Sequence, residues 1–193
     1  MSEDALLADC AAPGVFTDLA AFASLPEAAP DDVGAVVRLV QGLLIHEGLT
    51  GVYGVALGPE RAAEKQLHGA AAILGRAVAL DSRPLTEVRP PERRVVGVCR
   101  HFATLFVAIM RHKGVPARAR CGFAGYFAPG KHLDHWVGEY WNAAERRWVL
   151  VDARSTRRNG GISSSTSIRW TCRAMHSWSA AMRGARVAPG PIR

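Results

Sequence analysis

The 193-residue sequence has few cysteines, no long apolar run and no internal repeat of the length found in solenoids or propellers. Its longest mainly apolar stretch, Phe102 to Met110, includes Thr104 and is far shorter than the roughly 20 residues that a membrane-spanning helix needs. The first ten residues, MSEDALLADC, carry acidic side chains where a secretory signal carries Lys or Arg. We therefore expect a globular protein of the cytoplasm.

The four cysteines, Cys10, Cys99, Cys121 and Cys172, form no C-x-x-C pair. Four such widely spaced cysteines are too few for a disulfide scaffold, and no second cysteine pair completes a tetrahedral zinc site. The phosphate-binding pattern G-x-x-x-x-G-K and the dinucleotide pattern G-x-G-x-x-G are both absent. We therefore expect a protein without a metal or a cofactor.

Acidic residues and lysine are absent from positions 153 to 193, which contain eight arginines. The first 152 residues are close to neutral, so the net charge of +7 comes from this last segment. The sequence thus predicts one domain over residues 1–152 with its core at 95–152, followed by a basic tail at 153–193. The tail is compatible with an arm that binds nucleic acid or an acidic partner, with an irregular extension, or with a shifted reading frame.

Proline and glycine divide the N-terminal part into helical segments. One helix is expected from Val33 to near Gly48, capped by Asp31 or Asp32, because its apolar residues recur every three or four positions. A second is expected from Pro59 to Asp81. The prolines between positions 81 and 94 indicate a linker that crosses the surface.

The segment from Val95 to Asp152 combines one buried helix with three strands. The helix is expected over about Cys99 to His112, with Gly114 as its cap. Alternating and apolar patterns then indicate strands over about 117–127, 135–141 and 146–152, in an antiparallel meander. The predicted fold class is therefore α+β.

Cys99 stands at the first turn of the predicted helix, where backbone N–H groups and the helix macrodipole favour a thiolate. His135 begins the second strand and Asp152 ends the third, so adjacent strands can bring the two together. A cysteine nucleophile, a histidine base and a carboxylate that orients the histidine are the parts of a catalytic triad. Each residue alone is more typical of a structural role, but the three together at these element boundaries favour a catalytic one.

Three blocks of the sequence, GVCRHFATLFVAIMRHKGVPARARCGF, DHWVGEYW and RWVLVDA, resemble the transglutaminase-like superfamily, which shares the papain-like fold of cysteine enzymes. The resemblance covers about a third of the chain. It implies a nucleophile helix packed on an antiparallel sheet, with Cys99, His135 and Asp152 as the triad. It also implies acyl transfer from, or hydrolysis of, an amide in a protein, peptide or smaller molecule, through a thioester.

Neighbouring residues have less defined roles. Trp136 is a candidate wall of the substrate site, although packing in the core or on the sheet face is the more usual role of such a residue. Trp141 and Trp148 are expected to pack on the sheet, and Cys121 is interpreted as a small buried apolar side chain. The main alternative to an enzyme is a catalytically inactive module of the same fold that binds a protein or peptide.

Overall fold

The computed structural model describes residues 2–29, 31–124 and 132–154. Its helices are α1 (Glu3–Ala11), α2 (Leu25–Ala28), α3 (Val33–Leu43), α4 (Pro59–Ala63), α5 (Ala70–Leu80) and α6 (Cys99–His112). Short 3₁₀ helices occupy Ala20–Phe22, Glu47–Tyr53, Glu64–Gln66 and Pro91–Arg93. Most of the predicted basic tail, from position 155 onward, lies outside the described residues, so the division into domain and tail stays a prediction.

The strands of the described residues form two separate sheets. β1 (Leu44–His46) and β2 (Val95–Gly97) pair in parallel. β3 (Ala117–Ala124), β4 (Leu133–Asn142) and β5 (Arg147–Val151) form an antiparallel sheet in sequence order. This sheet is the predicted meander, and the mixture of helices with an antiparallel sheet confirms the α+β class. The predicted continuation of the first strand, residues 125–127, lies outside the described residues.

Helix α6 runs over the predicted residues, and its apolar character is explained by the burial of nine of its fourteen residues. At its end, Gly114 adopts a left-handed conformation with φ of 73°. The N–H of Gly114 donates to the carbonyl of Arg111, and the N–H of Val115 donates to that of Met110. This pair of hydrogen bonds is the Schellman arrangement, which satisfies carbonyls that the helix leaves unpaired.

The predicted helix from Val33 to near Gly48 is correct as far as Leu43 and wrong after it. Asp32 caps α3 through its carboxylate, as predicted, but the helix ends at Leu43. Leu44 and Ile45 then pair with the buried strand β2. A short, continuously apolar run is compatible with either a buried helix or a buried strand. Here the run becomes a strand because it pairs with β2, which is distant in the sequence.

The predicted helix from Pro59 to Asp81 is also wrong, because the structure breaks it into α4, a 3₁₀ turn and α5. Gly69, immediately before α5, has φ of 78°, a conformation that glycine adopts without steric cost. The linker after α5 runs mostly across the surface, as predicted, but Arg89 within it is fully buried. The Arg89 guanidinium donates to four backbone carbonyls of the linker, those of Asp81, Arg83, Pro84 and Glu87.

Helix α6 packs on the antiparallel sheet so closely that one strand position requires glycine. A Cβ atom at Gly138 of β4 would lie 2.8 Å from Cε1 of Phe106 and closer still to Cδ1. Phe106 is fully buried in the core. Because Cys99 precedes Phe106 by two helical turns, this contact also sets where Cys99 lies relative to β4.

Within the described parts of the chain, no helix combines the length and apolar character needed to cross a membrane.

Candidate active site

The start of α6 is held in place by a buried histidine. The Nδ1 atom of His101 accepts a hydrogen bond from the Val98 N–H at 3.1 Å, and its Nε2 atom lies 3.1 Å from the Leu67 carbonyl. Burial lowers the His101 pKa, and the nearby Arg100 charge lowers it further. Gly97 leaves room for this ring, since a Cβ there would meet the His101 Cβ at 3.0 Å. His101 therefore acts as a neutral anchor, not as a source of positive charge.

Cys99 lies level with the start of β4 because about two helical turns and about three strand residues cover the same distance. Two helical turns, about 10 Å, separate Phe106 from Cys99. About three strand residues span the same distance along β4 from Gly138, which brings the backbone at His135 and Trp136 level with Cys99. The Cys99 sulfur accordingly accepts a hydrogen bond from the backbone N–H of Trp136 and makes one with the His135 side chain.

His135 and Asp152 form a buried pair. Nε2 of His135 lies 3.1 Å from Oδ2 of Asp152, and the two side chains are 2% and 1% exposed. The other carboxylate oxygen, Oδ1, accepts the backbone N–H of Arg154 at 3.1 Å. Since Nε2 is engaged with Asp152, Nδ1 is the ring nitrogen that remains available to the Cys99 sulfur. The structure thus brings all three predicted site residues into one hydrogen-bonded line.

The environment lowers the pKa of the Cys99 thiol. Burial is the largest single influence and acts in the opposite direction, raising the pKa. The hydrogen bonds from His135 and from the Trp136 N–H, the positive charge of protonated His135 and the Arg100 N–H together outweigh burial. A thiolate is the nucleophilic form of cysteine, so this shift favours reactivity at the sulfur.

The His135 pKa moves in the complementary direction, to about 9. Burial lowers this pKa, but the hydrogen bonds with Asp152 and Cys99 and the negative charges of both partners raise it by more. A lowered thiol pKa and a raised imidazole pKa favour a thiolate–imidazolium ion pair. Such a pair holds a nucleophile and a proton donor next to each other near neutral pH.

Two residues near this site were not identified from the sequence. The Gln41 side chain, at the end of α3, donates to the Ala153 carbonyl at 3.1 Å and so supports the segment that carries Asp152. His46 of β1 lies against Phe102, and burial lowers its pKa to about 4, which leaves it uncharged beside the ion pair. Neither has a local sequence signal, because both reach the site only through the pairing of β1 with β2.

The remaining sequence expectations have mixed outcomes. Trp141 and Trp148 stack edge to face with ring centroids 5.7 Å apart, which confirms their packing on the sheet. Trp136 is 36% exposed and lines a cavity beside α6.

The expectation of a buried Cys121 is wrong, since the residue is exposed. Cys121 of β3 lies opposite Trp136 of β4, which is itself partly exposed.

A cysteine at the start of a central helix, packed on an antiparallel sheet that bears histidine and aspartate, defines the papain-like, transglutaminase-like class of fold. Residues 92–153 match the model of the transglutaminase-like superfamily. The predicted resemblance to this superfamily is thereby confirmed over that third of the chain, which contains all three site residues.

Solved structures with detectable similarity include a candidate cysteine protease from Cytophaga hutchinsonii, with a TM-score of 0.49 and 16% identity over 80% of this chain and 43% of that chain. The periplasmic domain of TgpA from Pseudomonas aeruginosa, bound to ethylmercury, has a TM-score of 0.37 and 24% identity over 69% of this chain and 42% of its own. The chain thus spans less than half the length of these structures. Comparison with curated protein sequences found no match.

Proposed function

We propose that the protein is a cysteine-dependent enzyme of the transglutaminase-like type that cleaves or transfers the acyl group of an amide in a protein, peptide or smaller molecule. The observation that carries this proposal is the hydrogen-bonded line from Cys99 through His135 to Asp152. The match of residues 92–153 to the superfamily supports it independently.

In the first half-reaction, the Cys99 thiolate attacks the amide carbon and forms a C–S bond. The negative charge that develops on the carbonyl oxygen lies near the positive end of α6, where the Cys99 N–H has no acceptor within the helix. Protonated His135 then gives its proton to the nitrogen as the C–N bond breaks. The products are a free amine and a thioester on Cys99.

In the second half-reaction, neutral His135 removes a proton from water or from an acceptor amine, which attacks the thioester carbon. The C–S bond breaks, and the Cys99 thiolate and the His135 imidazolium are restored. Asp152 keeps the imidazole in the required orientation and stabilises its protonated form throughout. The cytoplasm is the proposed compartment, since its reducing conditions keep such a thiol reduced.

The proposal is tested with synthetic glutamine-containing peptides, with hydroxylamine as a nucleophilic acceptor. We expect release of ammonia and formation of a peptide hydroxamate, together with a thioester adduct on Cys99 detected by intact-protein mass spectrometry. The Cys99→Ala variant should show none of these products. The Cys121→Ser variant is the matched control, because it removes an exposed thiol outside the line of three residues.

Equal turnover by wild type and Cys99→Ala would contradict the proposal. A Cys99 that titrates as an ordinary thiol and forms no adduct with any peptide would instead favour the inactive binding module.

A further inference from the structure

We infer that the cavity beside Trp136 is the subsite that receives an apolar side chain, aromatic or branched aliphatic, next to the amide carbonyl that Cys99 attacks. This inference rests on the proposed function and adds a substrate preference to it. The cavity has a volume of about 380 Å³ and is lined mainly by apolar residues. That volume lies within the range of pockets that bind small ligands.

One wall of the cavity is a single stripe of α6. Arg100, Thr104, Val107 and Arg111 all line it, and their spacing of four, three and four residues places them on one helical face. The stripe begins at the residue immediately after Cys99. A group bound along it therefore lies against the same helix that carries the nucleophile, and the stripe starts one residue after Cys99 in the sequence.

The opposite wall comes from the antiparallel sheet. Ala119 of β3 pairs with Gly138, and Cys121 pairs with Trp136, so Ala119 and Trp136 belong to the face that packs against α6. Both line the cavity. Ala119 is exposed, so the small side chain at this position leaves the space open instead of filling it with core atoms.

A rigid apolar rim completes the cavity. Val15 and Phe16 are 92% and 61% exposed, yet the backbone around them is fixed. The Phe16 carbonyl accepts the Ala70 N–H at 2.9 Å, and Thr17 closes the turn by hydrogen bonds to Gly14. Exposed apolar side chains on an ordered backbone are typical of a binding surface, because little conformational entropy of the protein is lost when a ligand binds to them.

Trp136 connects the cavity to the reacting atoms. Its backbone N–H donates to the Cys99 sulfur, while its side chain lines the cavity. A substrate group held against the Trp136 ring is thus adjacent to the nucleophile. Trp136 therefore both donates a hydrogen bond to the nucleophile and forms part of the cavity wall.

The charges at the cavity exclude a basic substrate group. None of the described residues that line it is acidic, whereas Arg100 and Arg111 are among them. Both guanidinium groups donate to backbone carbonyls, Arg100 to that of Lys65 and Arg111 to those of Ala12 and Ala117. A lysine or arginine side chain of the substrate would meet two like charges without a carboxylate to offset them, so a basic group is disfavoured there.

The test compares chloroacetamides that differ only in the substituent on nitrogen: none, phenethyl or aminoethyl. The rate constant for alkylation of Cys99 in the full chain is measured by mass spectrometry and divided by the rate for a small free thiol. We expect the phenethyl reagent to react at least about tenfold faster than the parent compound, with saturation, because its ring is buried in the cavity. The aminoethyl reagent should show no gain.

The variant Ala119→Trp fills the cavity from the strand, and the ratio of the phenethyl rate to the parent rate should fall to about one. The matched control, Ala143→Trp, makes the same change in the exposed turn between β4 and β5 and should retain the wild-type ratio. Phe16→Ala, which shortens an exposed rim residue, should reduce the ratio without affecting folding.

A ratio of one in the wild type, or a gain that Ala119→Trp leaves intact, would overturn the inference. Because the ratio compares two reagents on the same thiol, it is independent of how reactive that thiol is. Failure of the proposed enzyme activity would appear separately, in the peptide assay and in the titration of Cys99.

Discussion

The His135 imidazole and the Asp152 carboxylate lie 3.1 Å apart, and both side chains are almost completely buried. A buried carboxylate needs polar partners, because removing it from water without them is costly. Asp152 has the imidazole on one oxygen and the Arg154 N–H on the other. This pairing holds the histidine in one orientation and allows it to carry a positive charge beside Cys99.

The variant Asp152→Asn should keep the fold but lose most of the amide turnover. An amide in place of the carboxylate no longer stabilises the imidazolium and permits the wrong tautomer, so we expect kcat to fall by about 10²- to 10⁴-fold. Asp134→Asn is the control, since Asp134 lies one residue from His135 but is exposed. Steady-state kinetics on both variants distinguish the two positions, and equal rates for Asp152→Asn and wild type would exclude a role for this carboxylate.

Amide turnover should have a bell-shaped dependence on pH. Activity requires the Cys99 thiolate, whose pKa is lowered, so the rate should rise at a pH below the ordinary thiol pKa of about 8.5. It also requires protonated His135, so the rate should fall as pH rises through about 9. In Asp152→Asn the alkaline limb should move to lower pH, because the carboxylate helps to raise the His135 pKa. A wild-type alkaline limb near pH 6.5 would contradict this assignment.

The same shift links the His135 charge to stability. Its folded pKa of about 9 lies above the unfolded value of about 6.5. The contribution of protonated His135 to the free energy of unfolding is therefore fully present below pH 6.5 and is lost as pH rises through about 9. Urea unfolding of the wild type and of His135→Asn across this range should show the difference narrowing with pH.

The variant Gly138→Ala should be destabilised by about 1–3 kcal/mol or more, because the added methyl group has to displace the buried Phe106 ring. Gly75→Ala in α5 is the matched control: a Cβ there meets no atom within 4 Å. In a helix interior this change should stabilise the fold by about 0.5–1 kcal/mol. Thermal unfolding gives both values. An unchanged free energy of unfolding in Gly138→Ala would contradict the close contact between Phe106 of α6 and Gly138 of β4.

The variant His101→Leu should be destabilised by about 1–3 kcal/mol. Leucine fills a similar space but leaves the Val98 N–H and the Leu67 carbonyl without their partner. His112→Leu, at the other end of α6, should cost at most about 1 kcal/mol. Similar chemical denaturation curves for the two variants would argue against His101 as the anchor of the helix start.

The sequence predicted the central segment well because its signals are local. Glycine and proline mark the end of α6, and strict alternation marks β3, so neither depends on distant partners. The order of Cys99, His135 and Asp152 along these elements was enough to indicate a site. Their convergence follows from the meander and from the close contact between Phe106 and Gly138.

The N-terminal half was predicted less well because long-range pairing determines it. The apolar residues Leu44 and Ile45 become a strand only because β2, some fifty residues later, lies beside them. Gln41 and His46 approach the site through that pairing. The cavity beside Trp136 likewise requires the 14–17 turn to meet α6, a contact between segments more than eighty residues apart.

The most direct test of the central claim is the pH titration of the Cys99 thiolate, followed by its ultraviolet absorbance as the difference between wild type and Cys99→Ser. We predict that the difference signal develops well below the pH of about 8.5 at which a free cysteine titrates, and that it moves upward in His135→Asn. A Cys99 that titrates near 8.5 in both proteins would contradict the ion pair and, with it, the proposed nucleophile.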